Sequence, residues 1–219
     1  MKKYFFLLAL LLLTTSLAFS QELYKKMTVF ELADQADLIL VGKITEVKGG
    51  NLKLDVEKVV AGNYDEPQIS VRRFKNYKTV KRWAKYAVKE TLFLFLTQEE
   101  SDWKILGFGG EGEKLVEAAD VYLDSRGEGV KNRFSYYDRL IEGNIYAEKV
   151  PRAEFEAAVA GIRDCIAVGY KEVITKDGDA WKEPIVTFSC DESATDAYRS
   201  QSWVHDELAK QAMKAVAEE

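Results

Sequence analysis

The chain has 219 residues with 31 basic and 36 acidic side chains, a net charge of −5, two cysteines and a single histidine. That inventory excludes every metal site built on two or more imidazoles and leaves any histidine-based triad dependent on His205 alone. Hydrophobic residues at 47% and aromatics at 12% belong to a folding sequence, and the mildly acidic balance argues against indiscriminate adhesion to nucleic acid.

Lys2 and Lys3 precede an apolar run from Tyr4 to Leu13, and Ala18-Phe19-Ser20 is a small-x-small cleavage site ahead of polar Gln21-Glu22. Residues 1–20 therefore read as a secretory signal peptide cleaved after Ser20. The run falls short of the ~20 apolar residues a membrane span needs, so the mature chain is expected to be secreted or periplasmic with no transmembrane anchor. It would keep 199 residues and a net charge of −7, enough for one large domain or two small ones. In an oxidising compartment Cys165 and Cys190 are expected to form a disulfide, closing a loop of about 25 residues and contributing roughly 3 kcal/mol.

Thr28 to Ala36 spaces Val29, Leu32, Ala33 and Ala36 on one helical face, with Thr28 and Glu31 placed as a capping box. The pattern then turns to β. Leu38 to Val47 is rich in Ile, Val and Leu, and after Gly49-Gly50-Asn51 the residues Leu52, Leu54 and Val56 alternate with Lys53, Asp55 and Glu57, which predicts a hairpin. Further strands are predicted at Gln68 to Phe74, Thr91 to Thr97 and Trp103 to Phe108, and a helix at Thr79 to Lys89 on the spacing of Val80, Trp83, Ala84 and Ala87. Five strands with a helix between the third and fourth describe an OB-like β-barrel.

Within this stretch, Ala36-Asp37-Leu38-Ile39-Leu40-Val41-Gly42-Lys43-Ile44, Val56-Glu57-Lys58-Val59-Val60-Ala61-Gly62, Leu92-Phe93-Leu94-Phe95-Leu96 and Gly109-Gly110-Glu111-Gly112 resemble secreted bacterial proteins with a netrin/TIMP-like OB domain. The resemblance covers residues 28–117 and implies the fold. In the tissue inhibitors of metalloproteases, inhibition depends on an N-terminal cysteine that chelates zinc. Cleavage here leaves Gln21 first and no cysteine before Cys165, so the resemblance implies no functional residue.

Beyond a polar stretch near Asp124 to Asn132 the texture changes. Phe134 to Ile145 and Pro151 to Ile166 predict helices, the second burying Phe155, Ala158, Val159, Ile162 and Ile166. Tyr170 to Thr175 and Glu183 to Ser189 flank Asp177-Gly178 as two strands, and Trp203 to Ala217 closes as a helix. The expected class is α+β, with the barrel in 21–125 and a helix-rich C-terminal unit in 126–219.

The leading candidate site is the basic run: Arg72, Arg73, Lys75, Lys78, Lys81, Arg82, Lys85 and Lys89 occur without one intervening acid, interleaved with Phe74, Tyr77, Trp83 and Tyr86. Cations for a charged backbone and rings for stacking are what anionic-polymer binding uses on an OB barrel; the competing reading is the solvated face of a helix whose Trp83 packs inward. Gly107-Phe108-Gly109-Gly110-Glu111-Gly112 matches the dinucleotide fingerprint, and Lys114 to Ala119 is the segment that would have to begin its helix. The antiparallel surroundings instead favour a barrel corner, and no cofactor is expected. His205 lacks a nucleophile and an orienting partner and reads as a surface helix residue. Asp191, Glu192 and Asp196 lack the spacing of an EF-hand and fit helix capping, so no metal is expected. The chain reads as a non-catalytic binding or interaction protein of the envelope or exterior, engaging an anionic glycan, lipopolysaccharide, extracellular DNA or a protein partner. The alternatives are a hydrolase of glycans or peptides and, by fold analogy, a protease inhibitor.

Overall fold

The computed structural model describes residues 27–74, 82, 84–107, 111–124, 136–138, 146–174, 180–188 and 190–217. Residues 1–20, read above as a signal peptide, fall outside them, and no helix among the described residues is long and apolar enough to cross a membrane.

The chain enters through α1 (Val29–Gln35). Its capping box forms as predicted: Glu31 N donates to Thr28 Oγ1 at 3.1 Å and Thr28 N donates to Glu31 Oε2 at 2.6 Å, satisfying two backbone donors that a helix start leaves open. Strands β1 (Leu38–Lys48) and β2 (Asn51–Ala61) pair antiparallel through a turn at Gly49, whose φ of +59° suits glycine. Strands β3 (Gln68–Arg72), β4 (Thr91–Glu99) and β5 (Asp102–Ile105) complete a closed barrel in the order β1-β2-β3-β5-β4-β1. The β3–β5 contact is parallel and the other pairings are antiparallel. This is the expected OB-like arrangement.

Alternation gives the barrel wall two apolar sides. Leu92, Leu94 and Leu96 of β4 point inward with Leu38, Leu40, Leu52, Leu54, Ile69 and Val71. Phe93 and Phe95 point outward into a second core with Ile39, Val41 and the helices. Strands buried on both faces read as continuous apolar runs, which is what Thr91 to Thr97 shows.

Beyond β4 the sheet continues through β6 (Glu113–Glu117), β7 (Asp120–Asp124), β9 (Tyr146–Pro151) and β8 (Tyr136–Asp138). Lys114 to Glu117, the segment a dinucleotide site would need as helix, is strand, because β4 offers a free edge at Thr91 to Leu94 where Leu115 and Val116 pair. Two helix expectations are corrected here. Tyr136 to Asp138, inside the segment predicted as a helix, pairs with β9; the rest of Phe134 to Ile145 lies outside the described residues. The helix predicted at Thr79 to Lys89 is absent over 84–89, a stretch of bends and turns. Pairing of Asp120–Asp124 with Ala147–Pro151 carries the sheet across position 125/126.

Helix α2 (Arg152–Cys165) buries Phe155, Ala158, Val159 and Ile162 as predicted, while Ile166 already starts the next strand. Its last residue, Cys165, is bonded to Cys190, with a Cα–Cα distance of 4.8 Å. The bridge staples the base of a two-stranded sheet, β10 (Ile166–Ile174) with β11 (Ala180–Phe188). Helices α3 (Glu192–Arg199) and α4 (Trp203–Ala217) follow, and Asp191 caps the first of them, accepting from Ala194 N at 2.7 Å.

Helix α1 is the wedge between barrel and helices. Val29, Phe30, Leu32 and Ala33 share one core with Phe93, Phe155, Val159, Leu208 and Ala212, and Phe30 N donates to Gln211 Oε1 at 3.2 Å. Charged pairs fix the same junction: Arg152 Nε meets Glu156 Oε1 at 2.6 Å, Arg152 Nη1 meets Glu57 Oε2 at 2.9 Å, and Lys58 Nζ meets Glu156 Oε2 at 2.5 Å. Burial alone would raise the Glu156 carboxyl, but hydrogen bonds from Arg152 and Lys58 outweigh it and hold the group below its usual range.

Candidate ligand-binding face of the barrel

The helices cover the outward residues Ile39, Val41, Phe93 and Phe95, whereas the outward residues of the β1–β2 hairpin near its turn and of β3 meet solvent. Strand β2 exposes Asn51, Lys53 and Asp55 while burying Leu52 and Leu54; β3 exposes Gln68, Ser70 and Arg72 while burying Ile69 and Val71. Pairing brings these into rows: Lys48 with Asn51, then Glu46 with Lys53 and Ser70, then Asp55 with Gln68. An open depression of about 530 Å³ lies over them, lined by Glu46, Lys48, Asn51, Lys53, Gln68 and Ser70 with Ile69 at its floor. That volume falls in the range of small-ligand sites, and the face of strands two and three beside the first hairpin turn is where OB barrels take oligonucleotides and oligosaccharides.

The electrostatics differ along the face. At the β5 side Arg72 is pinned by Glu99 at 3.0 Å and Asp102 at 2.9 Å, and Lys104 holds Glu99 at 2.9 Å; these bonds, the one from Lys104 foremost, keep the Glu99 carboxyl below its ordinary range. Toward the β1–β2 turn, Lys48 and Lys53 make no ion pair among the described residues. Gln68 Nε2 donates to Asp55 Oδ1 at 2.7 Å, which leaves the Gln68 carbonyl as its outward group.

The basic run is dispersed by the fold. Arg72 is ion-paired, Arg73 is half-buried beside the hairpin turn with its N–H donated to Gly50 O at 2.9 Å, and Lys85 is exposed. Lys75, Tyr77, Lys78, Lys81 and Trp83 lie outside the described residues. Arg82 departs most from expectation, being only 5% exposed. Its Nε donates to Glu113 Oε1 and its Nη2 to Glu90 Oε1, each at 3.0 Å, and its guanidinium lies 4.0 Å from the Tyr86 ring centroid. Tyr86 Oη also donates to Glu113 Oε1 at 3.0 Å. Where a helix was predicted, this polar cluster closes the end of the barrel. Burial would lower the guanidinium's pKa, yet Glu113 and Glu90 outweigh it and hold Arg82 charged. With two carboxylates sharing one cation, burial pushes the Glu113 carboxyl above its usual range, and its Oε2 has no hydrogen-bond partner among the described residues.

The other candidates resolve structurally. After Gly107 and Gly112 comes strand β6, so the glycine fingerprint lacks its helix; a Cβ on Gly112 would sit 2.2 Å from Leu106 O, which makes this a corner where two backbone segments touch. His205 is corrected from surface to core at 3% exposure. Its Nδ1 shares a 2.8 Å hydrogen bond with Ser202 Oγ, its ring meets Tyr198 edge-on at 4.8 Å, and its Nε2 has no partner among the described residues. The spacing carries the signal that was missed: His205 lies three, four and seven residues before Leu208, Ala209 and Ala212, on the buried stripe of α4. Lys48, Asn51, Lys53 and Ser70 were also missed as site residues, although the alternation that exposes them was legible. No group of three or more potential metal ligands occurs among the described residues.

No protein-family model matches the chain, and a search of curated proteins finds none similar to it.

Proposed function

We propose that this is a secreted, non-catalytic binding protein of the cell envelope or exterior, related in fold to netrin/TIMP-like domains, which holds an anionic polymer on the open face of its barrel. The observation that carries the reading is the depression over Lys48, Asn51, Lys53 and Ser70: two cations that make no ion pair among the described residues, set among hydrogen-bonding groups next to a turn that Arg73 joins. The Cys165–Cys190 bond supports export, because such bonds persist in oxidising compartments. From the basic run Arg73 stands beside the turn, whereas Arg72 and Arg82 are committed to ion pairs within the protein.

Affinity electrophoresis through gels containing a polyanion tests this. The wild-type protein is expected to be retarded, increasingly so at low salt, and Lys48→Glu/Lys53→Glu to migrate freely while keeping its circular dichroism. Equal retardation of both proteins would refute the assignment of this face.

A further inference from the structure

We infer that the chain held on this face is a carboxylated saccharide, a polyuronate-like polymer, and not a polynucleotide; the inference rests on the binding reading above. The lining residues divide the work a uronate demands. Lys48 and Lys53 sit on adjacent strands, two residue pairs apart along the ladder. Strand spacing and rise put their backbones about 8 Å apart, so both ammonium groups can reach carboxylates on one chain lying across the strands. Between them Asn51 offers both donors and an acceptor, Ser70 a hydroxyl, Gln68 its carbonyl and Glu46 a carboxylate. These are the partners that sugar hydroxyls need, each hydroxyl being both donor and acceptor.

The same residues disfavour nucleic acid. Glu46 stands directly opposite Lys53, so the surface beside that cation accepts hydroxyl donors, which a sugar ring carries next to its carboxylate and a phosphodiester linkage lacks. Single-stranded binders also present aromatic platforms for stacking. None of the residues lining the depression is aromatic. Among the described residues, Tyr64 and Trp103 are half-buried and packed edge-to-face at 6.2 Å, with Tyr64 Oη donated to Gln68 O at 2.7 Å. A duplex, with a charge every ~1.7 Å of axis, would need far more cations than the two lysines that line the depression.

Binding to polygalacturonate, neutral dextran and oligothymidylate is measured by calorimetry on the full mature chain, wild type beside Lys48→Ala/Lys53→Ala and Glu46→Ala. Polygalacturonate is expected to bind at least about tenfold more tightly than the other two polymers, and the double lysine variant to lose about that factor through two exposed ion pairs. Glu46→Ala is expected to weaken polygalacturonate several-fold without strengthening dextran. Oligothymidylate binding as tightly as polygalacturonate, or tightening of polygalacturonate in Glu46→Ala, would overturn the saccharide class while leaving the anionic-polymer reading intact. Equal binding of dextran would overturn the role of the carboxylates. Binding of none of the three would overturn both. All substituted side chains are on the solvent side of the barrel, so unfolding is not the expected cause of a loss.

Discussion

Replacing Arg82 by Met tests what closes the end of the barrel. The side chain fills similar space but removes the only cation among the described residues that is hydrogen-bonded to Glu113, which is fully buried. Breaking a buried pair from one side costs about 3–5 kcal/mol, because the surviving charge stays desolvated. Loss of the contact with Tyr86 and of the bond to Glu90 places Arg82→Met toward the upper end, about 4–5 kcal/mol. The cost depends on pH. Burial already makes Glu113 hold its proton more tightly than the unfolded chain does, and without Arg82 that difference grows. The folded state then binds the extra proton, so the variant's stability falls as pH rises above the ordinary carboxylate range and recovers on acidification. Urea unfolding at pH 7.5 and pH 5 should show the larger deficit at pH 7.5. In Arg82→Met/Glu113→Leu most of the deficit should vanish, giving a coupling of at least about 2 kcal/mol. If the two single substitutions add within about 0.5 kcal/mol and each costs under about 1 kcal/mol, the cluster is not a structural plug.

Cys165→Ser/Cys190→Ser is expected to lose roughly 3 kcal/mol from release of the 25-residue loop, with hydrogen exchange accelerating most in Ile166–Ile174 and Ala180–Phe188. Burial holds the His205 imidazole below its ordinary pKa, with Glu154 opposing. The unfolded chain takes that proton more readily, so stability should fall as pH drops through about 6.5, and His205→Phe, which keeps a ring against Tyr198, should flatten the dependence of urea midpoints between pH 7.5 and 5.5. Gly112→Ala must push a Cβ away from Leu106 O and should cost about 2 kcal/mol or more by thermal unfolding; no loss would mean the corner is loose. Arg152→Ala removes the bonds to Glu57 and to buried Glu156, which keeps Lys58 as its partner, and should cost about 1–2 kcal/mol by urea unfolding.

Much of this fold was legible because its signals are local. Thr28 and Glu31 announce a capping box, Leu52 to Glu57 alternate, and Trp203 to Ala217 keeps one helical period from its first residue to its last. The failures have a common cause in partners distant in sequence. Lys114 to Glu117 and Tyr136 to Asp138 become strands because β4 and β9 present edges to them, and pairing overrides local pattern. The supposed helix before β4 followed the spacing of Val80, Trp83 and Ala84, but Arg82 on the same stretch is drawn inward by Glu113, 31 residues away. No spacing rule shows that an arginine in a basic run is the buried one. The binding face was half visible: alternation exposes Lys53 and Ser70, yet their row with Glu46 depends on strand register. The expected helical His205 was placed correctly along the chain and wrongly in depth.

Strand β4 has a consequence for how the chain reaches its fold. In most half-buried strands a slip of one residue is forbidden because it would turn polar side chains inward. Leu92 to Leu96 has no such guard, since leucines and phenylalanines alternate and both faces are buried. What distinguishes the right alignment is shape alone, leucines filling the narrow barrel and aromatic rings the wider space under α1 and α2. The information that normally lies in polarity is here carried by volume, so exchanges among apolar residues in this strand, mild elsewhere, should act as errors of alignment.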